Sequence, residues 1–381
     1  MARGKKKGRQ SRERFFDYTL LTVVLFLLCI GLIVLYSVSS YDANLTFNDS
    51  AYYIKKQVVA SIVGIVAMFI VMNIDYHIYD KISVIAYGVS AVLIFLVVTP
   101  LGYEANGARR WLNLGVSLQP AEVAKVGIII FCASLVCKLG ARLNTREGIG
   151  ILFVPVLVIC GMVYLITDNL SSAIIILGIA LVMLFIATPN YRYYVIILLV
   201  IGFIAGIAIL LVTKGILTEE VSYRFGRIRA WLYPEAYAST TAFQTLQALY
   251  AIGSGGIFGK GLGESMQKQF VPEAQNDMIF AIICEELGLF GALVILTLFL
   301  VMIWRFAEIA KASNDPLGSM LVIGVMAHIS IQVILNIAVV TNAIPNTGIS
   351  LPFISYGGSS VVFLLVEIGI VLSVARSLYY E

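Results

Sequence analysis

The chain has 381 residues, 60% hydrophobic and only 13% charged, with a mean hydropathy of +0.94. Soluble domains are usually about a quarter charged, so this composition excludes an ordinary globular protein and indicates a polytopic helical membrane protein. Five cysteines lie in apolar runs without metal-like or disulfide-like spacing, and two histidines are too few for a histidine-based metal centre. The net charge of +4 says little until the charges are placed, and no nucleic-acid partner is expected.

Residues 1–14, MARGKKKGRQSRER, form a solvated basic tail. The apolar run that follows, about 15–38, has no A-x-A-like cleavage site and is read as a retained first helix. Further spans are predicted at about 57–73, 82–99, 120–137, 149–167, 170–187 and 193–213. Three more follow at about 278–304, 317–341 and 351–375, making ten, and all are about the length a bilayer crossing needs. The basic tail, with Lys81, Lys138, Arg142, Arg146, Arg192, Arg305, Lys311 and Arg376, places both termini in the cytoplasm. Lys55, Lys56, Arg109 and Arg110 fall outside, against that trend. The expected fold is therefore all-α, with residues 15–381 forming a single membrane domain. Two outer loops, 100–120 and 214–277, are longer than a turn requires.

The residues that could carry chemistry gather on the outer side. Asp277 precedes the eighth span and reads either as a helix cap or as a carboxylate at the membrane boundary, available as a general base. Glu285 and Glu286 lie eight and nine residues further on, about 12 Å deeper, and point to different helix faces. One is expected to line a cavity and the other to make a structural pair. Glu122 and Lys125 can pair at i,i+3 in the first turns of the fourth span, with Pro120 at its start. Arg109, Arg110 and Trp111 precede them; arginine matches phosphate with a bidentate fork and tryptophan suits an interface. Asp168 sits in the short TDNLSSA turn on the same side. The glycine run 253–263 lacks the ending of a nucleotide loop and reads as a re-entrant or interfacial turn. Carboxylates, an amine and guanidinium groups close to lipid suit a lipid-linked phosphate.

Five stretches carry a resemblance: NGARRWLNLGVSLQPAEVAK (106–125), ALYAIGSGGIFGKGLGES (248–265), VPEAQNDMIFAIICEELGLFGA (271–292), NIAVVTNAIPNTG (336–348) and LPFISYGGSS (351–360). They resemble the shape, elongation, division and sporulation family of peptidoglycan polymerases, the FtsW, RodA and SpoVE proteins, and look closer to the FtsW/SpoVE branch. The resemblance implies a glycosyltransferase that polymerises lipid II on the outer face of the cytoplasmic membrane during division, elongation or sporulation. It implies Asp277 as the catalytic base on the acceptor hydroxyl, with undecaprenyl diphosphate leaving. It further implies Arg109, Arg110, Trp111, Gln119, Glu122, Lys125, Asp168, Glu285 and Ser355 as substrate-binding residues. A class B penicillin-binding transpeptidase and other division or elongation proteins are the implied partners. No cofactor is certain, though a divalent cation, Mg or Mn, would suit the diphosphate. The flanks of Asp168, the LYPEAY stretch and Gln275-Asn276 depart from the family pattern. The competing readings are a lipid II flippase, which would lean on Glu285 and Glu286, and a non-catalytic scaffold, which would not need Asp277.

Overall fold

The computed structural model describes residues 17–105, 107–113, 115, 117–188, 191–216 and 223–378. The basic tail at 1–14 lies outside them. In chain order come α1 (Tyr18–Phe47), α2 (Tyr52–Met72), α3 (Ile78–Leu96), the strands β1 (Gly102–Ala105), β2 (Ala108–Asn113) and β3 (Ser117–Leu118), and α4 (Pro120–Leu139). Then follow α5 (Arg146–Thr167), α6 (Leu170–Ala187), α7 (Tyr191–Thr213), α8 (Tyr223–Leu232), α9 (Phe243–Gly255), α10 (Ile279–Ala312), α11 (Pro316–Val340) and α12 (Gly358–Ser377). Ten helices among the described residues, all but α8 and α9, are long and apolar enough to cross a membrane. The ends carry local signals. Asp17, Thr145, Asn169 and Asp315 each accept a backbone N–H in the first turn of α1, α5, α6 and α11. α4 and α11 begin with proline, which needs no intrahelical partner for its nitrogen.

Two expectations need correction. The last span does not begin at 351: residues 351–357 are irregular, with Phe353 at φ 64°, and α12 starts only at Gly358. Pro352 has no N–H to give a helix, and the segment is tied down from outside. The Tyr356 N–H donates to the Gln275 carbonyl at 2.9 Å, and the Gly357 N–H to Gln57 Oε1 at 3.1 Å. The all-α expectation is qualified within the loop 100–120. That loop folds into a small antiparallel sheet in the order β1-β2-β3, pairing Gly102 with Leu112 and Leu112 with Leu118.

Packing is uneven. α4, α11 and α12 are the most buried spans, and α7 is almost wholly exposed. Within the second long loop, the glycine-rich residues 256–261 fold back against α10. α10 breaks at Gly288, where φ is 68° and ψ −168°. The carbonyls of Glu285 and Glu286 accept from Lys260 and Gly261 at 2.9 Å, and the N–H groups of Leu289 and Phe290 donate to Gly256 and Ile257 at 3.0 Å. Backbone groups freed by the break are thus matched inside the protein, as a membrane interior demands. The approach is so close that a Cβ on Gly288 would lie 2.3 Å from the Gly259 nitrogen.

Gly288→Ala should therefore lower the melting temperature in detergent by several degrees, since the left-handed backbone alone costs about 1–2 kcal/mol. Gly161→Ala in α5, where an added carbon meets no atom within 4 Å, should leave it unchanged or slightly raised. Equal effects of the two changes would refute the close-approach account.

Candidate active site

At the end of the bundle that carries the small sheet, α4, α6, β2, α8, α9, α11 and the loops before α10 and α12 surround a chamber of about 710 Å³. Arg110, Trp111, Gln119, Glu122, Lys125, Asp168 and Asp277 all line it. Seven of the ten residues expected from the sequence thus converge from four separate segments.

Asp277 is not a helix cap. Met278 holds the cap position of α10 and no side chain bonds the free N–H groups there. The Asp277 carboxylate instead accepts from Gln244 Nε2 at 3.2 Å, a residue on α9. Gln244 is held in turn, because Asn346 Nδ2 donates to its Oε1 at 2.9 Å. Arg227 on α8 donates to the Asn346 carbonyl at 3.3 Å. Asn336 Nδ2 on α11 donates to the Asp277 carbonyl at 2.8 Å, so main chain and side chain are both anchored. Burial raises the Asp277 carboxyl to about 6, helped by the nearby Glu273 charge and opposed by its own backbone N–H, Arg227 and Gln244.

Glu122 and Lys125 pair at 2.8 Å on α4 and are 6% and 2% exposed, so the amine sits in the wall rather than on a surface. Glu122 Oε2 has no partner among the described residues. Asp168 joins three elements. It caps α5 in the left-handed region at φ 50°, its carbonyl accepts from Arg110 Nη2 at 2.9 Å, and its carboxylate pairs with Arg224 of α8. Arg224 also donates to the Tyr164 hydroxyl at 2.6 Å. Turn residue and site residue are the same group here.

Three expectations fail. The Arg109 guanidinium donates to the carbonyls of Gly102, at 2.9 Å, and Thr99, at 2.5 Å; it closes its own hairpin and does not line the chamber. Bound there, Arg109 is turned away from the chamber, while Arg110 and Trp111 line it. Glu285 is fully buried against the second long loop, pairing with Lys260 at 2.7 Å and accepting from Ser265 and from the backbone of Met266 and Gln267. Glu286 is likewise engaged, by Ser37 at 2.7 Å and Lys268 at 3.7 Å, so neither glutamate faces the cavity. The Ser355 hydroxyl accepts from the Leu351 N–H at 2.8 Å and stabilises the loop, while its neighbours Tyr356 and Gly357 do the lining. Gln244, Arg227, Gln332, Asn336 and Asn346 were not singled out. A signal for two of them existed: His328, Gln332 and Asn336 recur every fourth residue in an otherwise apolar helix.

Fold and site together define a polytopic membrane protein with a charged chamber at one end. A model of the FtsW, RodA and SpoVE family, described as cell cycle protein, matches residues 18–380. The stage V sporulation protein E of Bacillus subtilis is 39% identical over 94% of this chain and 97% of its own length. A probable peptidoglycan glycosyltransferase FtsW from Geobacter sp. strain M18 is 36% identical over 96% and 98%. Among solved structures, the Thermus thermophilus rod shape determining protein RodA superposes with a TM-score of 0.68 at 25% identity, covering 96% of this chain and 98% of that one. A chain from a structure described as coordinating polymerization and crosslinking in a peptidoglycan synthase complex gives a TM-score of 0.79 at 24% identity, covering 96% and 99%. The chain belongs to the FtsW, RodA and SpoVE family, and it is a multi-pass protein of the bacterial cytoplasmic membrane.

A carboxyl group at about 6 when folded and 3.8 in its ordinary state binds more protons in the native chain between those values. Wild type then loses stability as pH rises from about 4 to about 6 and no further above that. Asp277→Asn, which has no charge to bury, should gain on wild type in melting temperature across that window and hold a constant advantage at pH 7–8. A difference independent of pH would contradict the buried carboxyl.

Proposed function

We propose that this chain is a peptidoglycan glycosyltransferase that polymerises lipid II, with the chamber opening on the outer face of the membrane. The observation that carries the reading is Asp277, a partly buried carboxyl in the wall of a chamber also lined by Arg110, Lys125 and Arg227. Its relatives' names supply the class of activity. The acceptor sugar's hydroxyl gives its proton to the Asp277 carboxylate as its oxygen attacks the anomeric carbon of the donor strand. The bond from that carbon to the diphosphate oxygen breaks, and undecaprenyl diphosphate leaves with the electron pair. Arginine forks and a buried ammonium favour that developing charge where water is scarce. A base near 6 is mostly ionised at neutral pH yet still basic enough to draw a hydroxyl proton in the transition state.

The flippase reading leaned on the two mid-helix glutamates, and both are occupied with Lys260 and Lys268. A scaffold has no use for an Asp277 held by both α9 and α11. A class B transpeptidase partner, with other division or elongation proteins, fits the family, one of whose solved relatives is described as a synthase complex of polymerization and crosslinking. Among the described residues no three His, Cys, Asp or Glu groups converge to hold a metal. A divalent cation would therefore take most of its ligands from diphosphate and water, and no step is routed through one.

Purified protein with its transpeptidase partner should make glycan strands from lipid II, and Asp277→Asn should lose about 100-fold or more in rate at equal folding. Wild-type kcat/KM should fall as pH drops below about 6, where Asp277 gains its proton. A variant as active as wild type would remove the base from this mechanism.

A further inference from the structure

The α11 wall of the chamber carries an acceptor with nothing to accept. Gln332 lines the chamber and is 2% exposed. Its Nε2 donates to the Ser350 carbonyl at 3.0 Å, which sets the orientation of the amide, since only the nitrogen can serve a carbonyl. Its Oε1 is buried without a partner among the described residues. One turn on, Asn336 gives its Nδ2 to the carbonyls of Asp277 and Ile349, and its Oδ1 is also buried and unmatched. Of the two, only Gln332 lines the chamber, so the wall offers its acceptor there while its amide donor is already engaged. Ile175 and Ile349, both buried, supply apolar surface in the same lining.

Native proteins satisfy nearly every buried polar group, so such a wall calls for a ligand that brings donors. A hydroxyl would also bring a donor, but it carries no apolar group to set against the isoleucines in the same lining. A secondary acetamide suits the wall better, because in its trans form the N–H and the methyl share one edge and the carbonyl faces the other way. We propose that Gln332 Oε1 accepts the acetamido N–H of an N-acetylated hexosamine, with the methyl against the isoleucines, so that α11 reads the sugar. This rests on the polymerase reading above.

The test uses full-length protein with its transpeptidase partner and two substrates. One is the undecaprenyl-linked disaccharide peptide; the other carries an ester oxygen in place of the acetamido N–H, made at each position in turn. Wild type should lose about tenfold or more in kcat/KM on one ester analogue. Gln332→Met should lose a similar factor on the natural substrate and treat amide and ester alike. The proposal is overturned if wild type uses every ester as well as the amide, or if Gln332→Met discriminates as wild type does. Should that variant not fold, Gln332→Asn, which draws the amide back, must shrink the ratio, and an unchanged ratio sinks the idea. A wild type that polymerises neither substrate refutes the polymerase reading instead.

Discussion

Within a bilayer every backbone N–H and C=O must find its partner inside the protein, and at Gly288 this chain departs from the simplest way of doing so. The break in α10 releases two carbonyls and two N–H groups, and the segment 256–261 takes up all four. That single set of hydrogen bonds keeps α9 and the chain behind it within the bundle. It also sets where α10 begins. Asp277 stands at that beginning and Gln244 on α9, so the contact between them depends on a glycine eleven residues further along. Lys260 and Lys268 reinforce the arrangement by engaging the two glutamates beside the break.

The acids of this protein divide according to what meets them. Glu285 has a lysine, a serine and two backbone N–H groups, a set that makes an ionised carboxylate part of the architecture. Asp277 is met by a neutral amide in a partly buried setting, and its carboxyl rises to about 6. The same residue chemistry is thus made inert in one place and titratable near neutrality in another. Glu122 and Lys125 stand between these cases, as a buried pair open to the chamber on one side. A buried pair is weak evidence for stability, and an anionic ligand gives it a reason.

Much of the fold was legible in the sequence because bilayer spans are a local property. A run of about 20 apolar residues is recognisable wherever it goes, and the caps at Asp17, Asn169 and Asp315 are equally local signals. Polar residues stranded in such runs were also visible, which is how Asp277, Glu122, Lys125 and Asp168 could be named. The start of the last span was misplaced because apolar composition continues through 351–357, where Pro352 and contacts from Gln57 and Gln275 oppose a helix.

Which polar group meets which was a different matter. Arg109 and Arg110 are neighbours in the chain, yet the strand sends one to its own hairpin and the other to the Thr167–Asp168 turn. Gln244, Asn346 and Arg227 come together across more than a hundred residues of chain. Hydrophobicity and capping depend on a residue and its near neighbours, so the sequence by itself determined the ten spans and the pool of reactive side chains. The chamber depends on the register between helices, which is settled by packing and by backbone pairing around Gly288. Only the tertiary structure could decide that Asp277 faces it and Glu285 does not.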